Sequence, residues 1–200
     1  MKPYLLALAV AALALAALAC EEEGGGVEQA PTPSSRAVPT PAGTPIITDS
    51  QFDFPAKGYR VRIPEGWTPR PNFFLSLDLS TDGFFGPSAD GGVQPNIAVT
   101  CESVTRGTTL DQYVAGKVNL VQGLSGKSLE PQPRQVAGGG AFVLEYSPQG
   151  TPPAVDRTDV IFVTEKCGWT VGLTVPAGQR AAYQTVLDEF LASFRLLPTP

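Results

Sequence analysis

The first twenty residues constrain everything that follows, because they decide in which compartment the rest of the chain must fold. They read MKPYLLALAVAALALAALAC: a single cation at Lys2, an unbroken apolar run from Tyr4 to Ala19, then a cysteine directly after small residues. The run is shorter than the ~20 apolar residues that a bilayer-spanning helix requires. Ala17 and Ala19 are small enough to flank a cleavage site, so residues 1–19 read as a secretory signal peptide and not as a membrane helix. A chain exported this way folds in an oxidising compartment.

Ala17-Leu18-Ala19-Cys20 resembles the lipobox of bacterial lipoproteins, although Ala17 stands where leucine is commonest. The resemblance implies that Cys20 carries fatty acyl groups, palmitate among them, and becomes the first residue of the mature protein. Its expected place is then the extracytoplasmic face of a cell membrane, with the membrane as a partner through the Cys20 lipid. Glu21 after the cysteine is not the aspartate of an inner-membrane retention signal, and no twin-arginine pair is present, so general secretion is the expected route. Behind Cys20 come EEEGGGVEQAPTPSSRAVPTPAGTP, with almost nothing to bury. Residues 20–45 therefore read as a disordered, proline-extended tether that spaces a domain from the lipid surface.

Cleavage before Cys20 removes Lys2 and no acid, leaving 13 − 19 = −6 formal charges from the 14 basic and 19 acidic residues of the whole chain. That balance repels phosphate backbones and argues against nucleic-acid binding. The chain has no histidine, which removes Ser-His-Asp and Cys-His mechanisms and the His-containing zinc sites. Catalytic residues, metal ligands and cofactors are all expected to be none. Of the three cysteines, Cys20 is assigned to lipid and Cys101 and Cys167 form an even pair, for which a disulfide is the expectation and two buried free thiols the alternative.

Residues 46–198 are enough for one domain with a single core. Gly58-Tyr-Arg-Val-Arg-Ile63 alternates like a half-buried strand, Pro64-Glu-Gly-Trp67 ends it in a turn, and Trp67 is expected to fold onto the core. Phe73 to Leu79 reads as the next strand. Thr81 to Gly92 reads as a glycine-rich loop, with Phe84 and Phe85 where polar residues would be usual. Asp82 and Asp90 lack the spacing of an EF-hand calcium loop. Asn96 to Val104 reads as a strand with Cys101 pointing inward. Thr109-Leu-Asp-Gln112 has the spacing of a capping box, opening a helix to about Leu124 with Leu110, Tyr113, Val114, Val118, Val121 and Leu124 on one stripe.

Gly126-Lys127-Ser128 is not a P-loop, because Val121 occupies the required glycine position and no strand leads into it. Gly138 to Gly140 reads as a turn before a strand from Ala141 to Tyr146. Val155 to Glu165 and Trp169 to Val175 read as a hairpin, rich in β-branched residues. Asp156, Arg157 and Asp159 read as a solvated strand end with a local ion pair. Gln179 to Ser193 reads as an amphipathic helix burying Tyr183, Val186, Leu187, Phe190 and Phe194, and Phe194 to Leu197 as a closing edge segment.

Strands, a helix, more strands and a final helix make an α+β pattern with an antiparallel sheet. Tyr59-Arg-Val-Arg-Ile-Pro-Glu-Gly-Trp67, Thr109-Leu-Asp-Gln-Tyr113 and Phe190-Leu-Ala-Ser-Phe-Arg-Leu196 resemble the opening, middle and closing signatures of PsbP-like and DcrB-like domains, including LpqN-type lipoproteins. The resemblance implies a curved antiparallel β-sheet with helices packed on it, in a family of binding or assembly subunits, and it brings no catalytic residues to transfer. The function expected on these grounds is a lipid-anchored, extracytoplasmic, non-catalytic binding or scaffolding lipoprotein, monomeric, with an unknown protein or small-molecule partner. Phe84, Phe85, Tyr113 and Trp169 are the candidate binding surface. The rival readings are an envelope hydrolase or transferase using Asp156, Asp159 or Glu165, and a purely structural envelope lipoprotein.

Overall fold

A computed structural model describes residues 45–75, 79–88, 92–150 and 152–198. Residues 1–44, with the signal peptide, Cys20 and nearly all of the tether, lie outside that set, as do Asp78 and Asp90. In chain order the elements are β1 (Ile46–Ile47), β2 (Gln51–Phe54), a 3-10 turn (Pro55–Lys57), β3 (Tyr59–Arg62), β4 (Thr68–Leu75), β5 (Leu79–Phe85) and β6 (Asn96–Ser103). Then follow α1 (Leu110–Ser125), β7 (Gln132–Val136), β8 (Gly139–Tyr146), β9 (Val155–Val163), β10 (Cys167–Pro176), α2 (Arg180–Ser193) and β11 (Arg195–Leu196).

The strands form two antiparallel sheets, one ordered β1-β2-β3-β11 and one ordered β4-β5-β6-β10-β9-β8-β7. Neither closes into a barrel, and two helices pack on them, as expected of an α+β fold. Strand alternation divides the large sheet into two faces. Trp169, Val171, Leu173 and Val175 of β10 point inward and are buried with Phe84, Ile97 and Val160, while Gly168, Thr170, Gly172 and Thr174 point outward. The small sheet and α2 close the inner face, adding Phe52, Tyr59, Phe190 and Phe194 to one aromatic core. Tyr59 stacks on Phe194 at 5.3 Å, and Phe84 meets Phe52 at 5.1 Å and Phe190 at 5.0 Å, edge to face. Each such pair contributes about 0.5–1.5 kcal/mol beyond the area it buries.

The outer face is covered only in part. α1 starts from the expected capping box, with the Gln112 amide donating to Thr109 Oγ1 at 3.3 Å and the Thr109 amide donating to Gln112 Oε1 at 3.0 Å. It ends at Gly126, whose φ of +65° is the left-handed conformation that glycine takes without a Cβ clash. Its stripe packs Val114 and Val121 against Leu144, Tyr146 and Ile161. Leu124, placed on that stripe by its spacing, instead stays 44% exposed at the last turn, beyond the reach of the sheet.

Two expectations need correction. Thr81 to Phe85 is no loop but the second half of β5, in register with β6 from Leu79↔Glu102 to Phe85↔Asn96. The polar residues that disguised it are satisfied in the fold, above all Asp82, whose charge is met by Lys57. The stretch from Phe73 to Leu79 is likewise not one strand: it holds the end of β4 and the start of β5, with residues 76–78 outside the described set. Strands β2 and β7 were not anticipated, β7 because Gln132-Pro-Arg-Gln-Val136 is the polar, proline-bearing sequence of a sheet edge. Cys101 on β6 and Cys167 at the start of β10 are joined by a disulfide with a Cα–Cα distance of 5.4 Å.

Candidate functional site

The part of the outer face left bare by α1 is the candidate site, and its floor follows from residue size. Strand register sets Gly83, Ala98 and Gly172 in one row and Thr81, Thr100 and Thr170 in the next. Thr81 and Thr100 share a hydroxyl hydrogen bond of 3.0 Å across β5 and β6. Flat groups lie directly on three of the glycines. A Cβ at Gly168 would sit 2.3 Å from Tyr113 Cζ, one at Gly83 would sit 2.5 Å from the Phe85 ring, and one at Gly172 would sit 2.6 Å from Asp159 Oδ1. These positions require glycine because a side chain would displace the group above it.

Two polar clusters line this face. Tyr113 OH donates to Glu102 Oε2 at 3.0 Å while Lys117 Nζ pairs with the other carboxylate oxygen, tying α1 to β6. On β9, Asp159 accepts from Arg157 Nε at 2.9 Å and from Tyr146 OH at 2.9 Å. At the far edge, the Arg70 guanidinium lies 4.4 Å from the centre of the Phe85 ring, and the Phe73 ring meets Phe85 edge-on at 5.1 Å.

The four residues expected to form one binding surface are divided between the two faces. Phe84 is 0% exposed, and Trp169 is 2% exposed and stacked on Phe162, so both belong to the core and offer no contact surface. The physical reason is strand alternation: Phe84 and Phe85 are neighbours on β5 and point to opposite sides. Phe85 and Tyr113 do share the outer face. They do not meet, because Phe85 is in register with Asn96 whereas Tyr113 bonds Glu102, about 20 Å further along β6 at roughly 3.3 Å per residue. The residues that sequence reasoning passed over are Arg70, Phe73 and Phe74. Phe73 and Phe74 are 57% and 53% exposed on edge strand β4, and the signal available was the pair Pro69 and Pro71, since proline within a strand marks an edge.

The candidate carboxylates do not converge on a cleft. Asp156 and Asp159 stand three residues apart on β9 and so point to opposite faces, and Glu165 is exposed in the turn before β10. Burial works against ionisation of Asp156, but the Ser147 hydroxyl at 2.6 Å, the Gly178 amide at 2.8 Å and the nearby Arg180 hold its carboxyl below the usual range. The expected local ion pair of Arg157 with Asp159 forms, but Asp159 is 5% exposed, so the acid is buried where a solvated strand end was expected, and only the Arg157 side chain reaches solvent. Among the described residues no group of three or more His, Cys, Asp or Glu is placed to hold a metal. A separate groove of about 340 Å³ runs between α1 and β8, lined by Val114, Ala115, Val118, Pro131 and Phe142.

No protein-family model matches the sequence, and no curated protein does. Solved structures do. Cyanobacterial PsbP from Synechocystis sp. PCC 6803 superposes over 78% of this chain and 99% of its own, at 14% identity and a TM-score of 0.54. The fold is PsbP-like. LpqN, involved in cell envelope biogenesis of Mycobacterium tuberculosis, matches at 13% identity and a TM-score of 0.53, over 78% of this chain and 90% of its own. PA94 from Pseudomonas aeruginosa, a protein of unknown function, matches at 18% identity and a TM-score of 0.51, over 70% and 92%.

The PsbP-like fold sets three tyrosines, on β3, α1 and β8, beside carboxylates, and this has a measurable consequence. Burial first, and the adjacent Asp82, Glu102 and Asp159 second, push Tyr59, Tyr113 and Tyr146 above the ordinary phenol value of 10.0. A raised pKa means that the folded state keeps a proton that the unfolded chain gives up, so this stability is complete below pH ~10 and is lost as pH rises through the folded values. In a 295 nm titration, the phenolate signal of these three is expected to appear only with loss of the PsbP-like fold. Full ionisation near pH 10 in a domain still folded by circular dichroism would refute it.

Proposed function

We propose that this chain is a lipid-anchored recognition or scaffolding domain, held outside the cell through Cys20 and without catalytic chemistry of its own. The observation that carries this reading is the fate of its buried and half-buried acids. Asp82 is taken by Lys57, Tyr59 and the Asn72 amide, Asp159 by Arg157 and Tyr146, Glu102 by Lys117 and Tyr113, and Asp53 by Arg60. A general acid or base must face the substrate with a proton to exchange, whereas these carboxylates are spent on holding elements together. The PsbP-like fold, shared with an envelope-biogenesis protein, supports an envelope-associated and non-enzymatic role. Among the described residues no helix is long and apolar enough to cross a membrane, and the attachment proposed is the Cys20 lipid.

The partner is a protein or small molecule, bound by a monomer on the outer face. Two measurements test this. The mature polypeptide is expected to begin at Cys20 and to carry acyl mass on that residue; an amino terminus elsewhere, or an unmodified Cys20, overturns the anchor. Crosslinking in the native envelope is expected to trap a defined partner. Recovery of a polymer trimmed by the purified chain would favour a hydrolase instead.

A further inference from the structure

We propose that the β4 edge is an interfacial membrane contact, at which Phe73 and Phe74 settle into the headgroup–acyl boundary of the bilayer that anchors the chain. In a regular strand two adjacent phenylalanines would point to opposite faces. Here a bulge between Arg70 and Phe74, with Asn72 in the left-handed region at φ +52°, brings both to the outer side. Phe74 is in register with the outward Thr81, and the Phe73 ring packs against the outward Phe85. The bulge is held by buried charge: Asp82 Oδ1 accepts the Asn72 amide at 2.7 Å and Lys57 Nζ at 2.6 Å. Two adjacent phenylalanines, each more than half exposed on one edge, make an apolar patch of the kind that serves as a contact surface.

The length of chain between the proposed anchor and the domain bears on what covers it. Ile46 pairs with Asp53, and the next residue, Phe54, leads into the turn whose Lys57 holds the bulge through Asp82. The chain from Cys20 therefore enters through the small sheet on the inner face, one turn ahead of the lysine that holds the bulge. From Cys20 to Pro45 is 45 − 20 = 25 residues, a contour of at most about 90 Å, so the patch stays within reach of the bilayer. Arg70 beside the aromatic group is the cation suited to the headgroup level, and a mature chain of net charge 13 − 19 = −6 favours a neutral, zwitterionic surface over an anionic one.

This inference rests on the anchor at Cys20, and its test separates the two. In the lipidated full chain, Phe74→Trp is expected to be quenched by phosphatidylcholine brominated on its acyl chains well beyond the wild type, whose Trp67 and Trp169 are buried. In the unacylated Cys20→Ser chain, adding Phe73→Ser and Phe74→Ser is expected to lower partition into phosphatidylcholine vesicles roughly tenfold, from the phenylalanine area no longer buried. Retained thermal unfolding and an intact disulfide confirm that each variant is folded. Equal partition with and without the phenylalanines, together with no added quenching, overturns the membrane contact while acyl mass on Cys20 leaves the anchor standing. Loss of a crosslinked protein in the serine variant, with vesicle partition unchanged, also overturns it and assigns the edge to a protein. If Cys20 lacks acyl mass the anchor fails, and the partition of the unacylated chain still decides the lipid affinity of the edge.

Discussion

Asp82→Ala is expected to destabilise the domain by about 3–5 kcal/mol, the range for removing one partner of a buried ion pair. The Asp82 side chain is 1% exposed and that of Lys57 6%. Three donors converge on this carboxylate: Lys57 Nζ, the Tyr59 hydroxyl at 2.7 Å and the Asn72 amide. Alanine would leave an ammonium and two polar hydrogens buried without an acceptor. Burial already draws the Lys57 pKa down, against the pull of Asp82, so removing the acid leaves desolvation unopposed. For a domain near 150 residues the fall in Tm is on the order of 10 °C. A triple change, Lys57→Met with Asp82→Leu and Tyr59→Phe, removes charge and hydroxyl together and is expected to recover much of the loss, since apolar replacements of a buried pair are often neutral. Urea denaturation of the wild type and the two variants forms the test; an Asp82→Ala midpoint indistinguishable from wild type would show that the pair holds nothing.

Cys101→Ser with Cys167→Ser is expected to cost a comparable amount. The bond closes a loop with a sequence separation of 66, for which the entropy of the unfolded chain amounts to about 4 kcal/mol. Because β6 and β10 are also joined by a ladder from Cys167↔Ser103 to Thr174↔Asn96, the bond is not needed to define the pairing. The double variant should therefore keep its native circular dichroism at low temperature while unfolding at lower urea. Non-reduced protein should gain the mass of two hydrogens on treatment with reductant; no gain would mean that the thiols are free. Unchanged urea stability of the double variant would show that the cross-link contributes nothing to the folded state.

Local pattern made part of this architecture legible. The capping box at Thr109 and Gln112 begins α1 as read, and the apolar periodicity of α2 places Leu187, Phe190 and Phe194 in the core. The β-branched runs around Cys167 form the β9–β10 hairpin, and Cys101 and Cys167 pair as expected once Cys20 is set aside for lipid. The candidate surface was read less well. Phe84 and Phe85 looked like one aromatic pair because β5 passed for a loop, and β5 passed for a loop because it contains Thr81, Asp82 and Gly83.

Periodicity, caps and residue size act over a few neighbours, so the sequence alone determined the helices, the hairpin, the inward face of β10 and the absence of imidazole chemistry. Tertiary structure alone decided what happens to Asp82, Phe84, Trp169 and Asp159. A carboxylate can enter a buried strand only if a cation 25 positions earlier, Lys57, is folded against it. Which of two adjacent phenylalanines faces solvent depends on a strand register set by β6 and on a bulge held by Asp82 and, through it, by Lys57. Those are energies between residues distant in the chain, and no local pattern carries them.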